Sequence, residues 1–316
     1  MGVFLSHQTA LEFLRINHAL SYGSANRRCR AELPDSPPDI RQPGLSGLAS
    51  PLHIMIGNAE ARRKRKTMRL HLFDGQTPEG SFIRIDDGLF VSSPEFCFLQ
   101  MASLLPLAGL IELGYELCGT YSIPAVGDPN VPERGFHKRQ PLTNSKRLAA
   151  FLVRIPGVNG HQNALKAVRY ILEGSASPME TKLSIILTLP YKLGGFGFPR
   201  PELNKRVVPS KTDKRFSGKA SYVCDLFWTD HNLAVEYDSV LFHAGQGQIA
   251  DDSKKKNTLT MMGVTTISVT KQQLYSREEF EKTAVAIAKC LGKRLRCDKP
   301  GFAAAHRELR KQLLDV

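Results

Sequence analysis

The chain has 316 residues and a mass of 35.1 kDa, enough for about two units of ordinary size. With 42% hydrophobic and 23% charged residues, the composition excludes wholesale disorder and a membrane bundle. Forty-three Lys and Arg against 30 Asp and Glu give a net charge of +13 and a pI near 9.5, a balance that favours polyanionic partners, with nucleic acid the leading candidate.

The opening Met1-Gly2-Val3-Phe4-Leu5-Ser6 lacks the basic end and apolar run of an export signal, and no later stretch reaches the roughly 18 apolar residues of a membrane span. The six cysteines include no CxxC pair and lie mostly in apolar stretches, where a thiol packs as a small hydrophobe. A reducing, cytoplasmic setting is therefore expected. The start also meets the loose acylation pattern MGxxx[ST], which is short enough to arise by chance.

In chain order, residues 7–20 have the mixed helical spacing of a short amphipathic helix,. The Pro, Ser and Gly of 32–51 then mark a loop,. Apolar runs at 52–56, 68–73, 82–85 and 89–91, bounded by turn formers such as Asp74-Gly75 and Asp87-Gly88, predict strands,. Between the first two lies Arg62-Arg63-Lys64-Arg65-Lys66. This run reads either as a solvated loop or as a phosphate-contacting patch.

Ser93-Pro94-Glu95 has the chemistry of a helix start, and the apolar residues through Leu113 predict one buried helix,. The stretch 119–147, rich in Pro, Gly and charge, reads as a hinge or exposed insertion, followed by a helical segment near 145–173,. The expected organisation is a smaller α+β region over 1–147 that binds DNA or a partner, a helical connector over 148–174, and an α/β domain over 175–316.

In that last part, Ser177-Pro178-Met179-Glu180 opens a helix to about Leu189,. The following Gly194-Gly195-Phe196-Gly197 lacks the GK[ST] ending of a phosphate loop,. Tyr222–Trp228 and Leu233–Tyr237 are strand runs joined by the turn Thr229-Asp230-His231-Asn232,. A helix over 251–262, a strand over 264–269 and basic helices over 276–296 and 302–314 complete the chain,.

Residues two apart share a strand face, so Glu236 and Asp238 project together, and hairpin pairing brings Asp225 beside Glu236. Acids gathered in an apolar sheet repel one another unless a cation sits between them. A hard divalent ion, Mg²⁺ or Mn²⁺, meets that need with oxygen ligands, and beside a phosphodiester it activates water. Glu180, on the preceding helix, is a further acid within the same domain.

The runs Ser177–Leu183, Val223–Trp228 and Leu233–Asp238, followed by His243 and the segment Asp251–Asn257, resemble the restriction-endonuclease-like PD-(D/E)xK family related to very-short-patch-repair nucleases. The resemblance covers about 100 residues. It implies a mixed sheet flanked by helices, with Asp225 and Glu236 as metal ligands, Glu180 as an auxiliary acid, and His243 as an acid, base or phosphate contact. The family's lysine position is Asp238 here, so lysine's work passes to Lys254, Lys255 or Lys256, or is absent. The expected catalytic set is Glu180, Asp225, Glu236, Asp238, His243 and Lys255, with Lys254 and Lys256 expected to contact nucleic acid.

Val91–Ala102 with Glu116–Tyr121 resembles the middle region of bacterial proteins in which AbiEi-type abortive-infection antitoxins and such a nuclease-like tail are found together, although residues 1–50 lack the winged-helix start of AbiEi-type proteins. Two main functions follow, a Mg²⁺-dependent DNA endonuclease or nickase in phage defence or repair, or a non-catalytic DNA-binding or AbiEi-type antitoxin or transcriptional regulator that keeps the fold, with RNA cleavage as a third.

Overall fold

The computed structural model describes residues 2–17, 28–40, 43–45, 47–59, 66–125, 128, 130–210, 219–238 and 246–315, with the backbone alone at 43 and 246–252. The chain is a mixed α/β protein that divides into two compact units, Met1–Glu173 and Gly174–Val316. The first is the larger, against the smaller N-terminal region expected from sequence.

The first unit contains β1 (Val3–Leu5), α1 (His7–Ile16), β2 (Arg28–Cys29), β3 (Leu52–Ile56), β4 (Met68–Leu72), β5 (Phe82–Asp86) and β6 (Leu89–Ser92). It continues through α2 (Pro94–Met101), α3 (Leu107–Cys118), β7 (Tyr121–Ser122), β8 (His137–Lys138), α4 (Ser145–Val153) and α5 (His161–Val168). Strands β2-β5-β6-β1-β3-β4 form one sheet in that order. The three-residue β1, too short to show periodicity, sits in its middle, parallel to β6 and antiparallel to β3, with every residue buried.

The single helix expected from Ser93 through Leu113 is two. Ser93 caps α2 by accepting the Phe96 N–H, but Pro106 has no N–H to donate and becomes the cap of α3 instead,. The stretch 119–147 is not a detached hinge. Tyr121 and Ser122 are fully buried, and the buried Arg139 donates to the carbonyls of Leu14 and Glu116.

Residues 148–173 belong to this unit as well. Gly114 of α3 leaves space that Ile171 fills, because a β-carbon at 114 would stand 2.2 Å from Ile171 Cδ1. Two buried carboxylates are matched by arginines distant in sequence. Glu95 meets Arg28 at 2.5 Å and Arg147 at 3.2 Å, and Glu116 takes a two-pronged contact from Arg15 at 2.9 and 2.7 Å,.

The second unit contains α6 (Pro178–Thr188), β9 (Glu202–Val207), β10 (Tyr222–Trp228), β11 (Leu233–Asp238) and α7 (Gln246–Met261). It ends with β12 (Thr265–Thr270), α8 (Lys271–Tyr275), α9 (Arg277–Cys290) and α10 (Phe302–Leu314). Its sheet runs β12-β11-β10-β9 and is mixed: β10 lies antiparallel to both β9 and β11, whereas β11 and β12 are parallel. A parallel pair needs a crossover, which α7 supplies. It seats Leu259 against Tyr222, Cys224, Phe227, Ala234 and Val264.

Phe196 gathers Phe280, Phe302 and His306 around its ring, tying α9 and α10 to the loop after α6. The six cysteines are free. Among the described residues no helix is long and apolar enough to cross a membrane.

Candidate active site

The hairpin pairs Leu226 with Val235, Phe227 with Ala234 and Trp228 with Leu233. The couple that follows in register is Asp225 and Glu236, and opposite residues of an antiparallel pair share a face. At this point the regular ladder gives way to side chains. The Tyr237 N–H donates to Asp225 Oδ2 at 2.8 Å, so a carboxylate stands in for a strand carbonyl.

The other neighbour of β10 is irregular at the same level. The β9–β10 pairing passes from Cys224↔Lys205 to Leu226↔Leu203, and the intervening Asn204 takes φ 49°. Asparagine tolerates this left-handed conformation better than most residues. Asn204 Nδ2 donates to Glu180 Oε2 at 2.8 Å and to the Gly174 carbonyl at 2.9 Å.

Glu180 lies in the first turn of α6, whose N-cap Ser177 accepts the Glu180 N–H at 3.2 Å. Its Oε2 also takes the Ala176 N–H at 2.9 Å. Despite these bonds its carboxyl is held above the ordinary value, chiefly by burial, with the charge of Glu236 adding to the effect,.

Asp225 is raised well above its ordinary value, first by burial and then by the charges of Glu236 and Glu180. Glu236 has one oxygen occupied: Lys255 Nζ, from α7, donates to Oε2 at 2.7 Å. The second oxygen, Oε1, is buried with no hydrogen-bond partner among the described residues, an expensive state for a carboxylate oxygen. Burial works to lower the Lys255 pKa, but the facing Glu236 outweighs it and the net shift is upward. Burial, followed by the Glu236 charge, pushes the Cys224 thiol up to about 12, so it stays protonated.

The structure thus brings Glu180, Asp225, Glu236 and Lys255 into one electrostatic neighbourhood. Of the three consecutive lysines, Lys255 alone is partly buried, while Lys254 and Lys256 are exposed. Asp238 is half-buried at the far end of β11, paired with Thr270 of β12. Among the described residues no three His, Cys, Asp or Glu side chains gather closely enough to hold a metal ion by themselves.

His243 and the cations Arg62, Arg63, Lys64 and Arg65 lie outside the described residues, and Lys66 is exposed ahead of β4. Asn204 was not foreseen, because the polar run Glu202–Val207 carries no apolar alternation to announce a strand,. Comparison with protein-family models, curated proteins and solved structures finds no match for this chain.

Proposed function

We propose that the second unit is a divalent-cation-dependent nuclease that hydrolyses phosphodiester bonds in DNA, with Asp225 and Glu236 as the ion-holding pair. The observation that carries this reading is the buried, unpartnered Oε1 of Glu236 beside an Asp225 that resists ionisation. Two hard oxygen donors on neighbouring strands, one of them without a partner, fit Mg²⁺ or Mn²⁺. Such ions need only one or two carboxylates, with water and substrate phosphate as the remaining ligands. When bound, the ion supplies charge neutralisation at the scissile phosphate and an acidified water.

The chain's own residues divide the remaining work. Asp225 is fixed by the Tyr237 N–H, which sets its orientation without neutralising it. Lys255 holds Glu236 in place, and its upward shift keeps it an ammonium at neutral pH. It therefore supplies positive charge near a phosphate and is unsuited to act as a general base. That charge comes from a helix, whereas the family pattern places its lysine on the strand at the Asp238 position. Glu180 adds a third acid, its carboxyl raised by burial and by the charge of Glu236,.

The experiment is plasmid relaxation in Mg²⁺ with wild type and Glu236→Ala. Nicking by the wild type and its loss in the variant are expected. No nicking by the wild type refutes the mechanism and leaves a non-catalytic binder, whereas equal nicking by the variant refutes Glu236 as an ion-holding residue.

A further inference from the structure

Beyond the acidic pair, the second unit holds a cleft of about 670 Å³ in which the loop after α6 meets the turn between α9 and α10. Lys293, Arg294, Arg296 and Lys299 line it, with Asp298 the single acid among the lining residues. All four cations are exposed. The concentration extends along the chain: from Lys289 to Lys311 the sequence has eight Lys and Arg against two Asp and Glu.

Several contacts give the cleft a fixed form. The Arg296 N–H donates to Tyr191 Oη at 3.3 Å, and the Tyr191 ring meets Phe302 edge-on at 5.7 Å between centroids. Gly197, at φ 64°, lets that ring lie close, because a β-carbon there would stand 3.1 Å from it. Trp228 Nε1 donates to the Pro199 carbonyl at 2.8 Å, fixing a further part of the lining.

Four like charges around one concavity repel each other unless an anion joins them. Several cations lining one cleft with an aromatic ring are suited to a polymer of phosphates carrying stackable bases,. We infer that this cleft binds the phosphate backbone of a nucleic-acid strand, with the Tyr191 ring flanking a base. The inference deepens the nuclease reading and rests on it for the choice of polymer, but it does not require cleavage. It also moves the principal contact away from the lysines of α7 to the α9–α10 turn.

The test is fluorescence anisotropy of a labelled DNA strand and of its duplex, with EDTA present to suppress cleavage and NaCl varied. Wild type is expected to bind, with log affinity falling linearly against log salt. The neutralised variant K293Q/R294Q is expected to bind about tenfold more weakly at moderate salt, with a slope shallower by about 1.5 to 2, the loss of two phosphate contacts. Should K293Q/R294Q fail to fold, R296Q/K299Q carries the same expectation.

Absence of wild-type binding overturns the inference, as does an unchanged slope in a folded variant. Binding to phosphatidylserine vesicles in place of DNA overturns it too, because it assigns the cleft to a membrane. DNA binding by a wild type that never nicks plasmid supports the cleft while refuting the nuclease.

Discussion

Lys255 on α7 donates to Glu236 Oε2 at 2.7 Å, while the other oxygen of the same carboxylate is buried without a partner among the described residues. One half of Glu236 is therefore structurally satisfied, and the proposed site leaves the other half to an ion. The consequences can be measured separately.

Replacing Lys255 by Met removes the partner of a carboxylate whose side chain is 13% exposed. The expected cost is about 1–3 kcal/mol in urea unfolding at neutral pH. Adding Glu236→Gln to Lys255→Met should recover most of that loss, because the variant then buries no uncompensated charge. A Lys255→Met variant as stable as wild type would show that the ion pair contributes nothing.

Asp225 carries the opposite pH signature from an ordinary surface carboxylate. Its folded pKa lies well above the ordinary 3.8, raised by burial, Glu236 and Glu180. The folded state therefore holds the proton more tightly than the unfolded one. Stability falls as pH rises from about 4 through the folded pKa. Asp225→Asn should be more stable than wild type at neutral pH and lose this advantage near pH 4. Unfolding curves at several pH values, with the difference growing on acidification, would contradict the assignment.

A divalent cation should reverse that penalty. Mg²⁺ or Mn²⁺ is expected to raise the melting temperature of wild type at neutral pH and to release protons, as ligands ionise on binding. Neither effect should appear in the double variant Asp225→Asn/Glu236→Gln. Melting curves and calorimetry in buffers of different ionisation enthalpy read the two effects without any nuclease assay.

In the first unit the sign is conventional. Burial alone would raise the Glu116 carboxyl, but the charge and hydrogen bonds of Arg15, with Arg139 adding its charge, hold it below the ordinary value. This stability is present above the unfolded pKa and is lost as pH falls through the folded one. Arg15→Met should cost about 3 kcal/mol, because it removes the two-pronged contact and leaves buried Glu116 with the Ile123 N–H and the more distant Arg139 charge alone,. A loss below about 1 kcal/mol, the size of an exposed pair, would mean that Glu116 finds water or another partner.

Much of the second unit was legible in the sequence. The apolar runs either side of Thr229–Asn232 specify a hairpin, and a hairpin's register places Asp225 beside Glu236 with no further information,. The expectation that set Lys255 apart from Lys254 and Lys256 meets the Glu236 contact, but the lysines lie about 100° apart around a helix whose docking is set by Leu259, which no local pattern announces,. Strand β9 was missed because its pattern is polar, and with it Asn204, the partner of Glu180. In the first unit Glu95 and Glu116 look like surface acids until distant arginines fold onto them. Pro106, within the mostly apolar stretch from Ser93 to Leu113, marks where the expected single helix divides.

The α7 crossover makes assembly of the site a kinetic event. The β10–β11 hairpin needs only local contacts and can form early, whereas β12 joins β11 only after the intervening helix has crossed the sheet,. Lys255 travels with that helix, so Glu236 meets its counter-charge late, after the strands that present it. An interaction absent from the folding transition state acts on the unfolding rate. Loss of the lysine should therefore hasten unfolding and leave refolding nearly unchanged, making Lys255 a latch on a finished sheet rather than a seed for it.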